Sequence, residues 1–513
     1  MDNSLSRTDK QQSDLERYLD CSEVRLKIDS CKIDKYTKDI NIMVVNQSQM
    51  DLPDFILSIL GKTYDGDAFN QNILFSKKLK KGENAFLTTL DSVTILDDSN
   101  IEDLDVRKID KISLGNQRCN NLFISDLNCE IVDNLEDHLV AYYSLDQEDL
   151  IYNELEGSEW SNASASARLS GTTYYERNGD VIIVNRAEGN WPGAGILYTT
   201  NKKTKYNIKA EFNVLNGQGF VGYHLYKDGS VVNYNVPTDT QGMFPGYHPS
   251  MYFNYNAHNI GSYKIDTIID LSSAPDFDSI HFAILDYNNP NFTNIPAVIF
   301  NINSVSVSEV LVEDLSGYEN HGQIVGTTFT EDQKGKVNGA MLFNGTSDYL
   351  FCGSNPLVTI GDPFTILLWS KTESITSTYN RLFSLATSVE AFGVGISNSS
   401  SYLGYYYGSS NHFARIKTEF TPPFNEWAFF TLRFVGGSNT NNDNYNNYNN
   451  ALEINKISSG TFSSSNNETV IGGRIVGTTP GFFHKGAISI VKIYNKALTD
   501  KEIRAIYNET RTN

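Results

Sequence analysis

What this chain lacks narrows its roles before any motif is read. No apolar run approaches the ~18 residues that a membrane-spanning helix needs, so no such span is expected. Cations are in the minority: 41 Lys and Arg against 61 Asp and Glu leave a formal net charge of −20. Proteins that track nucleic-acid phosphates, or that adsorb to anionic lipid, concentrate Lys and Arg on one face. No nucleic acid and no membrane insertion are therefore expected, and the acidic balance reads as a means of staying soluble. The opening stretch "MDNSLSRTDKQQSDLERYLDCSEV" is charged throughout and has no apolar centre, so a conventional signal peptide is not expected there. The five cysteines, Cys21, Cys31, Cys119, Cys129 and Cys352, form no CxxC pair and have no nearby His cluster. They give no zinc signature and no clear disulfide framework, and the expectation is reduced thiols in a protein assembled in a cytoplasm.

Catalytic signatures are also missing. There is no Gly-x-Ser-x-Gly elbow, His-Glu-x-x-His or P-loop. The eight histidines are scattered, and His321 in "ENHG" reads as a turn or packing residue. Adjacent carboxylates in "DQEDL" and "EDLSG" point to opposite sides of an extended chain and make no acid/base pair.

What is present is aromatic and polar. Phe, Trp and Tyr make up 12% of the chain, and long Leu, Ala, Glu and Lys blocks are scarce, which favours β-sandwiches with polar loops. The fold class expected is all-β, with three β-sandwich domains, a short N-terminal arm and a short C-terminal helix. The arm covers residues 1–22. Alternating runs such as "INIMVV", "FILSIL" and "SVTIL" make residues 23–134 a β-rich attachment domain. Residues 151–308 carry a second set of such runs, with turn signals at Asn178-Gly179, Asn216-Gly217 and Asp228-Gly229. A third set extends nearly to the C-terminus. Within it, "GGSNTNNDNYNNYNNALEI" reads as a mobile hairpin tip, with a partner or ligand loop as the alternative. At the end, Thr499 with Glu502 three residues later, followed by Ile503, Ile506 and Tyr507, predicts a helix opening on a capping box.

Five segments of the third set carry a resemblance: "DLSGYENHGQIVG" from Asp314, "GKVNGAMLFNGTSDYLFCG" from Gly335, "PFTILLWSK" from Pro363, "NEWAFFTLRF" from Asn425 and "GFFHKGAISIVKIYNKALTDKEIRAIY" from Gly481. Each has a physical reading as well. Met341, Phe343, Tyr349 and Phe351 flank a tight turn at Asn344-Gly345, the pattern of two paired strands. Ile366 and Leu368 share one face of their strand while Leu367 and Trp369 share the other, so that strand belongs inside a two-layer structure. In order and separation the five resemble the laminin G-like, concanavalin A-like jelly-roll family. In such domains a strand of the type "LVAYYSLD" precedes "DLSGYENHG" after a short connection. Here Leu139–Asp146 and Asp314–Gly322 supply the two parts. The resemblance thus implies a jelly roll built from 135–150 plus 309–513, whose first and last strands pair, with 151–308 inserted. The insert weakly resembles galactose-binding-like carbohydrate modules.

The family includes glycoside hydrolases, whose carboxylates alternate along one strand as Glu-x-Asp-x-x-Glu. No such string occurs, and no enzymatic activity is expected. Laminin G-like domains often hold Ca²⁺ through carboxylate and carbonyl oxygens, which makes Asp314, Asn320 and Asp348 the metal candidates, with ordinary turn-forming Asp and Asn as the alternative. Aromatic stretches set among Gly, Asn and Ser suit sugar rings, which stack their C–H faces while their hydroxyls take hydrogen bonds. The candidates are Trp191, Tyr247, Tyr252, Tyr255, Tyr405 and Tyr407, with packing inside the sandwiches or at subunit interfaces as the alternative. The family context implies a non-enzymatic virion protein, such as a phage tail fibre, spike or capsid decoration. It would bind host-surface glycans, meet other virion proteins through its N-terminal region and form a homo-oligomer. The alternative is a secreted bacterial carbohydrate-binding or polysaccharide-degrading protein.

Overall fold

The computed structural model describes residues 24–511 except 53, 90–92, 97–99, 117–118, 126, 128, 134, 165–174, 185–191, 218, 233–254, 258–259, 287–297, 355–356, 359–361, 375–378, 387–390, 398–401, 405–423, 436–443, 450–451, 459–467 and 477–478. The fold is all-β, with a helix at the C-terminal end. No helix among the described residues is long and apolar enough to cross a membrane.

The first β-rich region is a sandwich of a four-stranded and a five-stranded sheet. In Ile40–Asn46 every second residue is buried, placing Ile40, Ile42 and Val44 on the inner face; Phe55–Thr63 does the same with Phe55, Leu57 and Ile59. Leu26–Asp34 lies parallel to Glu130–Val132, which ties the start of the region to its end. A disulfide between Cys31 and Cys129, 98 residues apart, fastens the same two ends. This corrects the expectation of reduced thiols. Pairing at that separation is created by the sheet and leaves no local pattern in the sequence. Cys352 is free and buried.

The C-terminal sandwich is assembled from both sides of the insert. Leu139–Tyr143 pairs antiparallel with Lys485–Tyr494, Leu139 opposite Tyr494 and Tyr143 opposite Val491. Ala141, Tyr143 and Leu145 all lie in one core with Val310, Val312, Ile366, Leu368 and Ile488. Phe364–Thr372 lies on the other edge of that last strand and is buried on both faces. Its Ile366 and Leu368 enter the sandwich core, while Leu367 and Trp369 face a second cluster beneath the C-terminal helix Asp500–Thr510. The helix opens on the capping box, with the Thr499 side chain accepting from the Glu502 N–H and the Glu502 carboxylate accepting from the Thr499 N–H.

Two local expectations are corrected. The strands flanking Asn344-Gly345 do not pair with each other. Ala340–Asn344 lies in the sheet of the last strand, whereas Tyr349–Phe351 pairs with Gly322–Val325 in the opposite sheet. The turn carries the chain across the sandwich, because Asn344 Oδ1 accepts from the N–H groups of Thr346, Ser347 and Asp348 and closes it on itself. The Asn-rich segment is not a hairpin tip over its described part: Asn444–Asn449 is a strand between Trp427–Phe434 and Leu452–Ser458. Sheet pairing outweighs the low intrinsic preference of Asn for strands.

The insert is a sandwich of its own, packed around Tyr206, Phe212, Tyr223, Phe282 and Phe300. It leaves and re-enters through adjacent strands, Leu150–Glu154 opposite Val312–Ser308. Val298–Val312, 15 residues long, serves both units. Its first part pairs with Val181–Val184 and Lys205–Asn216 of the insert, and its last residues pair with Gly322–Val325 of the jelly roll.

Candidate functional site

The insert has a cleft of about 170 Å³ at the open seam between its two sheets. Three local features of the sequence place its lining. The first is the hairpin of Tyr175–Asn178 with Val181–Val184, whose two-residue turn is Gly179-Asp180, where Gly179 takes φ 62° at no steric cost. This puts Asp180 in the tight bend and Arg177 just before it. The second is a bulge on the shared strand. Glu211 lies opposite Ser304 and Phe212 opposite Ile302, so Asn303 is the extra residue. A bulge of this kind re-aims a side chain that a regular ladder would have fixed. The third is the segment following Leu150–Glu154, which brings Trp160 against the edge of the insert's core.

The floor is apolar, from Ile182, Ile196, Ile302, Val305 and Trp160, and the rim is Arg177, Asp180 and Asn303. Ile182 and Ile302 are buried, whereas all three rim residues are exposed. Arg177 Nε donates to the Gly179 carbonyl at 2.8 Å, and its Nη1 lies 4.0 Å from the exposed Glu159 carboxylate. The Asp180 carbonyl accepts from the Ile302 N–H at 2.8 Å, which pins the turn to the shared strand. Asn303 Oδ1 lies 3.5 Å from Asn213 Nδ2. The cleft thus combines an aromatic and aliphatic floor with a carboxylate acceptor, an amide and a guanidinium donor. That is the chemistry needed to hold a small polyhydroxylated ring by its C–H face and its hydroxyls.

None of these residues was singled out from the sequence. Trp160, one of only four tryptophans, was the available signal. The seam itself depends on strand order and could not be read. Of the sugar-site candidates chosen from the sequence, Trp191, Tyr247, Tyr252, Tyr405 and Tyr407 lie outside the described residues. Tyr255 lies in the short strand Tyr255–Ala257, opposite Val221 of the insert.

The metal candidates are engaged in holding the backbone. Asp314 Oδ1 accepts from the N–H groups of Tyr142 and Ser316, and Oδ2 from that of Asn320. His321 Nδ1 accepts from the Asp314 N–H at 3.2 Å. Asn320 donates from Nδ2 to the Val140 carbonyl, and its own carbonyl accepts from the Tyr143 hydroxyl. Asp314 and Asn320 therefore fasten the first strand to the rest of the jelly roll. Asp348 belongs to the Asn344 turn instead, where Oδ2 accepts from the Asn344 N–H. Burial raises its carboxyl pKa above the usual range, and the Asn344 N–H and Ser347 hydroxyl partly offset this. Among the described residues no three His, Cys, Asp or Glu side chains converge as a metal would require.

A comparison with curated proteins finds no match. Solved structures match at low similarity. Domain 4 of an extracellular arabinanase from Geobacillus stearothermophilus, in complex with arabinotriose, is 18% identical, covers 38% of this chain and 91% of that one, and has a TM-score of 0.31. A carbohydrate-binding module of a Ruminococcus gnavus sialidase, bound to α2,3-sialyllactose, is 17% identical over 28% of this chain and 83% of that one, with a TM-score of 0.25. A Trypanosoma rangeli sialidase is 9% identical over 94% and 83%, with a TM-score of 0.29. At such identities and TM-scores the likeness is too remote to bear on the role of any residue. A family model does match residues 344–504, and its description is the concanavalin A-like lectin/glucanases superfamily. That stretch includes the strand Phe364–Thr372, the last strand and the start of the C-terminal helix, so the larger part of the split sandwich is similar over these residues to the concanavalin A-like lectin/glucanases superfamily.

Proposed function

We propose that this protein is a non-catalytic carbohydrate-binding protein, and that the seam cleft of the insert is a sugar site. The observation that carries the reading is the make-up of the cleft: Trp160 and four aliphatic residues form a floor beneath Arg177, Asp180 and Asn303. The lectin-like jelly roll beside it supports the same reading, because its motifs lack the alternating carboxylates of its hydrolytic relatives. Glycan-array binding by the full chain, followed by titration of the best ligand, tests the proposal. Saturable binding that Trp160→Ala weakens is expected. Absence of any saccharide binding would overturn it, and so would release of reducing sugar that a single Asp or Glu substitution abolishes.

One observation bears on the setting in which such a protein would act. The Cys31–Cys129 disulfide is of the kind that forms and persists in oxidising compartments and is rare in reducing cytoplasm. It favours the exported reading over a virion part assembled in a host cytoplasm. Weak single-sugar sites gain from repetition, so display in several copies belongs to the same proposal.

A further inference from the structure

We infer that the seam cleft takes a neutral sugar ring, with adjacent hydroxyls shared between Asp180 and Asn303, and discriminates against sugars that carry a carboxylate; this rests on the carbohydrate-binding reading above. Three features of the cleft point this way. Among the described residues that line it the one cation is Arg177, which shares the rim with the carboxylate of Asp180 and lies 4.0 Å from that of Glu159. No net positive charge is left over to hold an acid. A carboxylate such as that of Asp180 accepts hydrogen bonds and cannot donate them when ionised. It therefore suits a hydroxyl and repels an anionic substituent brought to the same place. The formal net charge of −20 adds a long-range bias in the same direction.

The floor and the bulge complete the match. Ile182, Ile196, Ile302, Val305 and Trp160 line the cleft, with Ile182 and Ile302 buried behind the exposed polar rim. Asn303, the unpaired residue of the bulge, presents an amide next to that surface. A ring laid on the floor would then donate one hydroxyl to Asp180 and exchange hydrogen bonds at the neighbouring hydroxyl with the Asn303 amide. Arg177 would cover the outer side as a donor.

The test uses the full oxidised chain. Probes are the methyl glycosides of glucose, galactose, mannose and xylose, together with those of glucuronic and galacturonic acid, with binding read by ligand-observed NMR and titration calorimetry. At least one neutral glycoside should bind, and its uronic counterpart should bind about tenfold or more weakly. Trp160→Ala and Asn303→Ala should each weaken the neutral sugar by about tenfold. Asp180→Asn should narrow the gap between the neutral and uronic forms. Should Trp160→Ala fail to fold, the surface substitutions Asp180→Asn and Asn303→Ala still decide the matter. Equal or tighter binding of the uronic form overturns the inference while leaving sugar binding intact. So does neutral-sugar binding that ignores all three substitutions, because the site is then elsewhere. Binding of no probe at all, with an array that is also blank, overturns the carbohydrate reading itself.

Discussion

The jelly roll and its insert use their polar residues in opposite ways. In the jelly roll, the conspicuous Asp and Asn residues are consumed by the backbone: Asp314 alone takes three N–H groups and joins the first strand to a loop more than 170 positions later. In the insert, Arg177, Asp180 and Asn303 stand exposed around an apolar floor. The difference teaches that a recognisable motif marks what a fold needs to close. An open cleft here comes from less conspicuous devices, a two-residue turn and one bulged residue.

The largest expected effect probes whether the two units are separable at all. Phe212 is buried in the insert between Tyr263 and Phe300, with ring centroids 5.5 and 6.0 Å away, and Phe300 lies on the shared strand. Phe212→Ala should cost about 3–5 kcal/mol. Because Val298–Val312 belongs to both sheets, calorimetry should show the insert and jelly roll melting together at a lower temperature. An unchanged transition for the jelly roll would separate the units and weaken the comparison.

The next pair sharpens the contrast directly. Asp314→Ala leaves three partly buried N–H groups without their acceptor and should destabilise the chain by about 1–3 kcal/mol in denaturant titration. In the folded protein, sugar affinity should be untouched. Asp180→Ala should show the reverse, a stability change within about 0.5 kcal/mol and a clear loss of binding. A calcium-dependent rise in stability that Asp314→Ala removes would show that the jelly-roll residues do more than hold the turn.

The smallest effect concerns the first sandwich, which meets the jelly roll through charged groups and the apolar contact of Tyr36 rather than a common strand. Glu509 on the C-terminal helix lies 3.6 Å from Lys35 and 3.5 Å from Arg107, and Arg511 reaches Asp65 at 2.6 Å. Tyr36 enters the apolar cluster beneath the helix. At this contact burial pulls the Lys38 ammonium down to about 8; Glu509, Asp105 and Asp34 oppose the shift, and Arg107 adds to it. Its Nζ donates to the Lys35 carbonyl and the Tyr64 hydroxyl. An unfolded lysine titrates near ~10.4, so between pH ~8 and ~10 the unfolded chain binds more protons than the folded one, and stability rises with pH. Below pH ~8 both states hold the proton and this dependence vanishes. Tyr36 and Tyr64, raised by burial, reverse the slope once unfolded tyrosines ionise near pH ~10. Melting curves from pH 7.5 to 9.5 should show a small upward drift for the first sandwich that Lys38→Met removes (roughly the window set by these values). A drift that survives the substitution assigns it to another group.

Local features of this chain were legible in the sequence where they depend on a few neighbouring residues. The capping box at Thr499 and Glu502 is one, and the turns at Asn178-Gly179 and Asp228-Gly229 are others. The strand Phe364–Thr372, apolar on both faces, was legible as an interior strand, but that the C-terminal helix covers its second face was not. Of the features that depend on distant pairing, the pairing of Leu139–Tyr143 with the last strand followed from the family resemblance, whereas others were not legible. Nothing near Cys31 points to Cys129, and nothing near Asn303 says that its partner strand skips it. The turn at Asn344 looked like a hairpin because alternation reports burial and cannot report which sheet a strand joins. Trp160 sits alone in "GSEWSN", away from the aromatic-rich stretches that hold Trp191 and the tyrosines, most of which lie outside the described residues.

The central claim is that sugar is held at the seam of the insert while the jelly roll supplies the frame. Titrating the best neutral glycoside against Trp160→Ala and Asp314→Ala in parallel, each confirmed folded, tests it most directly. The account predicts a loss of about tenfold or more for Trp160→Ala and unchanged affinity for Asp314→Ala. Unchanged affinity for Trp160→Ala, with the loss falling on Asp314→Ala, would contradict it.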